Sequence, residues 1–106
     1  MPYRDKIEII SDVLEAANGG ASKIRIMYKA GLSYKQMRGY VNFLAEKGLL
    51  DYGYQQDVQI VRTTEKGLLF LDTYNRIHDI IMEENHQYNN KVDMQEEEEE
   101  EEEDKR

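Results

Sequence analysis

The sequence contains no cysteine, which excludes a disulfide, a thiol nucleophile and a cysteine-built zinc site. No apolar run comes near the ~18 residues that a membrane span needs. The opening MPYRDKIEII lacks the apolar centre of a secretory signal. The two histidines, His78 and His86, stand eight apart, whereas zinc-binding histidines on one helix usually stand four apart. There is also no nucleophile–base arrangement and no glycine loop of the phosphate-binding kind. These absences argue against an enzyme, a metal centre or a bound cofactor. They leave a cytoplasmic protein of one domain, with room in 106 residues for one further element.

What is present is charge, unevenly placed. The net charge is −8, yet residues 92–106, with two bases and ten acids, account for all of it. Residues 22–62 hold seven bases against three acids. Within residues 22–50, Lys23, Arg25, Lys29, Lys35, Arg38 and Lys47 face one acid, Glu46. The overall acidity therefore describes the tail, and the folded part carries a basic segment of its own.

Spacing predicts the elements. Tyr3, Ile7, Ile10, Leu14 and Ala17, with Val13 alongside, mark one face of a helix that leaves Arg4, Asp5, Glu8, Asp12 and Glu15 outside. Pro2 suits its first turn and Asn18-Gly19-Gly20 its stop. Ser22 is an N-cap for a short second helix with Ile24, Met27 and Tyr28 inward, and Ala30-Gly31 breaks it. Ser33 and Gln36 form a capping box that opens a third helix, whose inward positions are Met37, Tyr40, Val41 and Leu44. Gly48 followed by Leu49 reads as its stop. Residues 50–52 and 59–62 read as two short strands around a polar tip at 53–57, with Tyr54 at the tip. The adjacent Ile60 and Val61 leave the register open. Thr64 opens a fourth helix with Phe70, Tyr74, Ile77 and Ile81 in line, running to about Tyr88.

This order predicts an α+β, mainly α, winged helix-turn-helix fold, because about four residues join the second and third helices and a hairpin follows. The outer face of the third helix is Tyr34, Lys35, Arg38 and Asn42, the face that in such a motif enters the major groove of double-stranded DNA. Lys35 and Arg38 suit guanine or phosphate, and Asn42 or Gln36 suits adenine. Lys23, Arg25, Lys29 and Arg62 are placed to hold phosphates, while Ser33 and Gln36 set the helix itself. Four phosphates per subunit would give a salt slope of about −3.6. Gly39 stands in mid-helix, where glycine costs ~1 kcal/mol relative to alanine. It fits either a close backbone approach to DNA or easier helix packing.

The run SKIRIMYKAGLSYKQMRGYVNFLAEKGLL, followed by RTTEKG, resembles the small archaeal winged-helix proteins over roughly residues 4–82. That resemblance implies a DNA-binding regulator or chromatin-associated protein, nucleoid-associated in the cell. Some members of that family form dimers through an antiparallel coiled coil of their last helices, and the sequence leaves the direction of such a pairing open. The folded part here is neutral and the acidic tail departs from the pattern, which favours a regulator over DNA packaging.

Three segments follow: a DNA-binding domain over 1–66, a long dimerising helix over 64–88 and a disordered acidic tail over 89–106. Tyr74, Ile77 and Ile81 are the expected homodimer contacts, since a monomer would expose the far half of that stripe. The competing reading is a winged-helix module that binds protein. For the unbroken glutamates at 96–103 the alternatives are a solubilising tail, an electrostatic competitor of phosphate, and a hook for a basic partner.

Overall fold

Each of the four helices begins on a side-chain oxygen that accepts a hydrogen bond from the backbone N–H three residues on. The pairs are Asp5 with Glu8 (2.8 Å), Ser22 with Arg25, Ser33 with Gln36, and Thr64 with Gly67 (3.1 Å each). The computed structural model describes residues 4–83. In chain order these form α1 (Lys6–Ala17), α2 (Lys23–Ala30), α3 (Tyr34–Glu46), β1 (Leu50–Gln55), β2 (Val58–Thr63) and α4 (Glu65–Met82). One compact unit runs to Arg76 and includes the first half of α4; a second begins at Ile77. The expected position of Pro2, the continuation of α4 to Tyr88 and the acidic tail fall outside the described residues.

The core of the first unit is built from α1 (Val13, Leu14), α2 (Ile26, Ala30), α3 (Met37, Val41, Leu44), the hairpin (Leu50, Val61) and Leu71 of α4. Two sequence expectations are corrected here. On α2 the buried side chains are Ile26 and Ala30, while Ile24 is 50% and Tyr28 74% exposed. An eight-residue helix admits both phases around Met27. The choice falls to packing, where the small Ala30 lets the helix end approach α1. On α1, Ile7 is exposed and Asp12 is drawn partly inward by Arg4 at 2.6 Å.

β1 and β2 pair antiparallel, with Leu50 opposite Thr63 and Tyr52 opposite Val61. The turn is Gln56-Asp57, both with positive φ (52° and 68°), a two-residue form that follows the strand twist. The strands are longer than expected and Tyr54 lies within β1 opposite Gln59, not at the tip. Ala21 bridges Val61 on the other edge of β2, through N–H···O bonds of 2.9 and 2.8 Å. The register also resolves Ile60 and Val61. Val61 joins the core, and Ile60, on the opposite face, is buried under Gly20, where a Cβ would come within 2.9 Å of its Cδ1.

The segment Thr63-Thr64-Glu65-Lys66-Gly67 clasps the hairpin to the helices. Thr63 Oγ1 donates to the Leu14 carbonyl at 2.7 Å, and Thr64 Oγ1 donates to that of Gly48 at 2.6 Å. Lys66 Nζ donates to the Lys47 carbonyl at 2.7 Å, at the C-terminal end of α3. Gly67 is buried against Leu49 and Thr63: an added Cβ would overlap the Leu49 carbonyl oxygen and lie 2.6 Å from Thr63 Cγ2. Neither neighbour can swing away, since one is backbone and the other is anchored through its own hydroxyl. Gly67→Ala should therefore destabilise the fold by about 2 kcal/mol, as overpacked cores do. Urea unfolding followed by circular dichroism measures this.

Candidate nucleic-acid interface

The direction of α3 is set by three residues, Gly31, Leu32 and Ser33. Gly31 has φ 68° and ends α2 in the left-handed conformation that glycine adopts without a Cβ penalty. The Leu32 N–H returns to the Met27 carbonyl at 3.0 Å and the Leu32 side chain is buried. Ser33 then opens α3 with a complete capping box: Gln36 N–H donates to Ser33 Oγ at 3.1 Å and Ser33 N–H donates to Gln36 Oε1 at 2.9 Å. Arg4 closes the turn from outside, donating to the carbonyls of Ala30 (2.9 Å) and Gly31 (3.3 Å) while paired with Asp12. Its charge lies where the α2 dipole ends in partial negative charge. The periodicity had placed Arg4 on the outside of α1. Only the fold brings it to a carbonyl 26 residues away.

With Met37, Val41 and Leu44 wholly buried, α3 presents Tyr34, Lys35, Arg38 and Asn42 to solvent, as the spacing predicted. The Arg38 guanidinium lies 5.9 Å from the Tyr34 ring, one helical turn away. Asn42 Oδ1 accepts from the hydroxyl of Tyr52 at 3.3 Å, and Lys23 Nζ stands 5.5 Å from the same tyrosine ring. Tyr52 thus joins the start of α2, the outer face of α3 and the hairpin, a role the sequence reading missed. Its signal was the alternation Tyr52-Gly53-Tyr54, which puts both tyrosines on one face of β1. Gln36 commits one lone pair of its carbonyl oxygen to the capping box, as Asn42 commits one to Tyr52.

Electrostatics separates this surface from the rest. Of the five arginines among the described residues, Arg4, Arg62 and Arg76 each pair with an aspartate. Arg25 and Arg38, on α2 and α3, make no ion pair among the described residues; the same holds for all six described lysines, so the contrast lies in the arginines. Neither α2 nor α3 has an acid in its first turn, so the partial positive charge at each N-terminus is unneutralised. Arg62 is set apart. It pairs with Asp51 at 3.7 Å and lies on the hairpin face of Ile60, opposite Tyr52. Gly39, finally, has nothing within 4 Å of where a Cβ would stand, so it does not serve helix packing.

Comparison with known proteins agrees with this geometry. Residues 3–82 match the model of a family described as winged helix-turn-helix. An uncharacterised protein of Methanocaldococcus jannaschii is 32% identical over 79 residues, which is 74% of this chain but 36% of that relative. The chain therefore spans about a third of the length of that relative. Sso10a-2, a DNA-binding protein of Sulfolobus solfataricus, superposes with a TM-score of 0.68 at 27% identity, covering 86% of this chain and 95% of its own. A MarR family protein from Bacillus stearothermophilus shares the fold, with a TM-score of 0.57 at 16% identity over 87% of this chain and 68% of its own.

Since its Cβ would enter open space, Gly39→Ala should stabilise α3 by about 1 kcal/mol, the helix-propensity difference alone. The same methyl stands on the solvent face, so duplex affinity should fall where the backbone approaches DNA. Thermal melting and a binding titration on one preparation read the two effects separately.

Proposed function

This chain belongs to the winged helix-turn-helix family, and on that premise we propose that it binds double-stranded DNA as a homodimer and acts as a transcriptional regulator. The observation that carries this reading is the contrast among its arginines. Arg4, Arg62 and Arg76, which come from other segments of the chain, are matched with aspartates, whereas Arg25 of α2 and Arg38 of α3 are left to an outside anion. Cations without internal partners, beside two uncompensated helix N-termini, suit a phosphate backbone. Sso10a-2, a DNA-binding protein by description, supports the same reading.

Roles follow from position. Lys35, Arg38 and Asn42 read base edges in the major groove, with Tyr34 stacked under Arg38 and Tyr52 steadying Asn42. Lys23, Arg25 and Lys29 hold phosphates. Ser33 accepts the Gln36 backbone N–H on its hydroxyl oxygen, and the Gln36 side chain closes the box, so the two residues set the helix start. Arg62 joins them only by exchanging Asp51 for a phosphate. The resulting protein would reside on the nucleoid.

Dimerisation rests on α4. Ile77 and Ile81 are 56% and 73% exposed, with Ile80 and Met82 also open. Four apolar side chains within six residues are costly to leave in water, and a second copy of the helix would cover them. Tyr74 is committed elsewhere in part. It stacks on Phe70 at 6.4 Å, and partial burial together with Glu8, Asp5 and Asp12 raises its phenol above the ordinary value. A dimer would present two α3 helices to paired half-sites. A second reading, a protein-binding module, is favoured by one feature: a groove of about 470 Å³ along α3, lined by Lys6, Lys35, Gln36, Gly39, Tyr40 and the exposed Phe43, which adjoins the DNA face at Lys35.

Lys35→Ala with Arg38→Ala should weaken duplex binding by about 1–3 kcal/mol per lost contact while the circular dichroism spectrum is kept. Unchanged affinity would move the site off this face of α3. Ile77→Glu with Ile81→Glu should convert a dimer to a monomer in sedimentation equilibrium. A dimer surviving both charges would place the contact elsewhere.

A further inference from the structure

We propose that the glutamate run at 96–103 occupies the cationic surface of α2 and α3 and competes there with DNA, so that the chain screens itself against poorly matched duplex. This rests on the DNA-binding reading above and adds the identity of a competing ligand, a named segment of the same chain.

Three observations carry it. The first is charge complementarity. Lys23, Arg25, Lys29, Lys35 and Arg38 make no ion pair among the described residues, while every other arginine there is paired to an aspartate. The run at 96–103 supplies eight consecutive carboxylates, followed by Asp104. The second is spacing. An extended polyglutamate carries one charge every ~3.3–3.6 Å, and one strand of a duplex carries one phosphate every ~3.4 Å. Both are linear polyanions of comparable charge per unit length, the phosphates counted along the duplex axis and the carboxylates alternating between the two sides of the chain. The third is reach. Twelve residues lie between Glu83 and Glu96, a contour of up to ~45 Å over the thirteen steps, against ~27 Å for the whole rise of α4.

The physical consequence is specific. A tethered competitor acts at an effective concentration of the order of millimolar. Against a surface that binds free polyglutamate at ~0.1–0.5 mM, loosely held duplex would be weakened ~3- to 10-fold at low salt. Base contacts made by Arg38 or Asn42 have no counterpart in a carboxylate run, so a well-matched site displaces the run more readily than random sequence does. Displacing it also returns counterions to the glutamates, which flattens the salt dependence of DNA binding.

The test compares three proteins by anisotropy titration with random-sequence duplex: the full chain, a chain ending at Lys91, and a full-length variant with each of residues 96–103 replaced by glutamine. At about 50 mM salt both variants should bind ~3- to 10-fold more tightly than the full chain, with a steeper salt slope. The gap should close near 0.3 M, where screening is short-ranged. It should also shrink when Lys35→Ala and Arg38→Ala are added to all three. Equal affinity for the three proteins at 50 mM overturns the proposal and leaves the tail as a solubiliser or a hook for a basic partner. If none of them binds duplex, the DNA reading itself fails. The screening of duplex then falls with it.

Discussion

A turn of three residues can hold two helices at a fixed angle only if both helix ends are closed within it. Between α2 and α3 this is done twice over: Gly31 in the left-handed region stops one helix and the Ser33–Gln36 box starts the next. Leu32, between them, is buried, so the turn cannot shift without opening the core. Arg4 then occupies the carbonyls that the stop leaves over. Whatever α3 does depends on this geometry, because its outer side chains act only in the direction the turn gives them. The hairpin is brought to the same place by separate means, the Thr63–Gly67 clasp and the Ala21 bridge, and Tyr52 is where the two meet.

Charge is organised around that geometry. An acidic total conceals a basic surface, since residues 92–106 hold ten acids and the segment 22–62 holds seven bases. Within the fold, aspartates sit beside the arginines that are not on α2 or α3. Exposed pairs of this kind add little to stability. Their effect is to offset the positive charge of Arg4, Arg62 and Arg76 locally.

Much of the fold was legible because its punctuation is local. Ser22, Ser33 and Thr64 announce helix starts by chemistry that acts within three residues, and Gly31 and Gly48 announce stops in the same way. The face of α3 was legible too: in thirteen residues only one phase puts Met37, Val41 and Leu44 together. The short α2 was not, since Ile24 with Tyr28 and Ile26 with Ala30 are equally good stripes. Tyr54 falls within the polar tip that the sequence suggests over 53–57, whereas positive φ at Gln56 and Asp57 confines the turn to those two residues and leaves Tyr54 in β1.

The sequence by itself determined the elements, their order, the outer face of α3 and the segregation of charge, because each is a property of neighbours along the chain. Tertiary structure alone decided which face of α2 is buried, why Gly67 must lack a side chain, and that Arg4, Tyr52 and Arg62 act at or away from the interface. Those outcomes depend on contacts between residues 8 to 49 positions apart. Separations of that kind leave no periodicity to read, since the partner is set by packing and not by spacing.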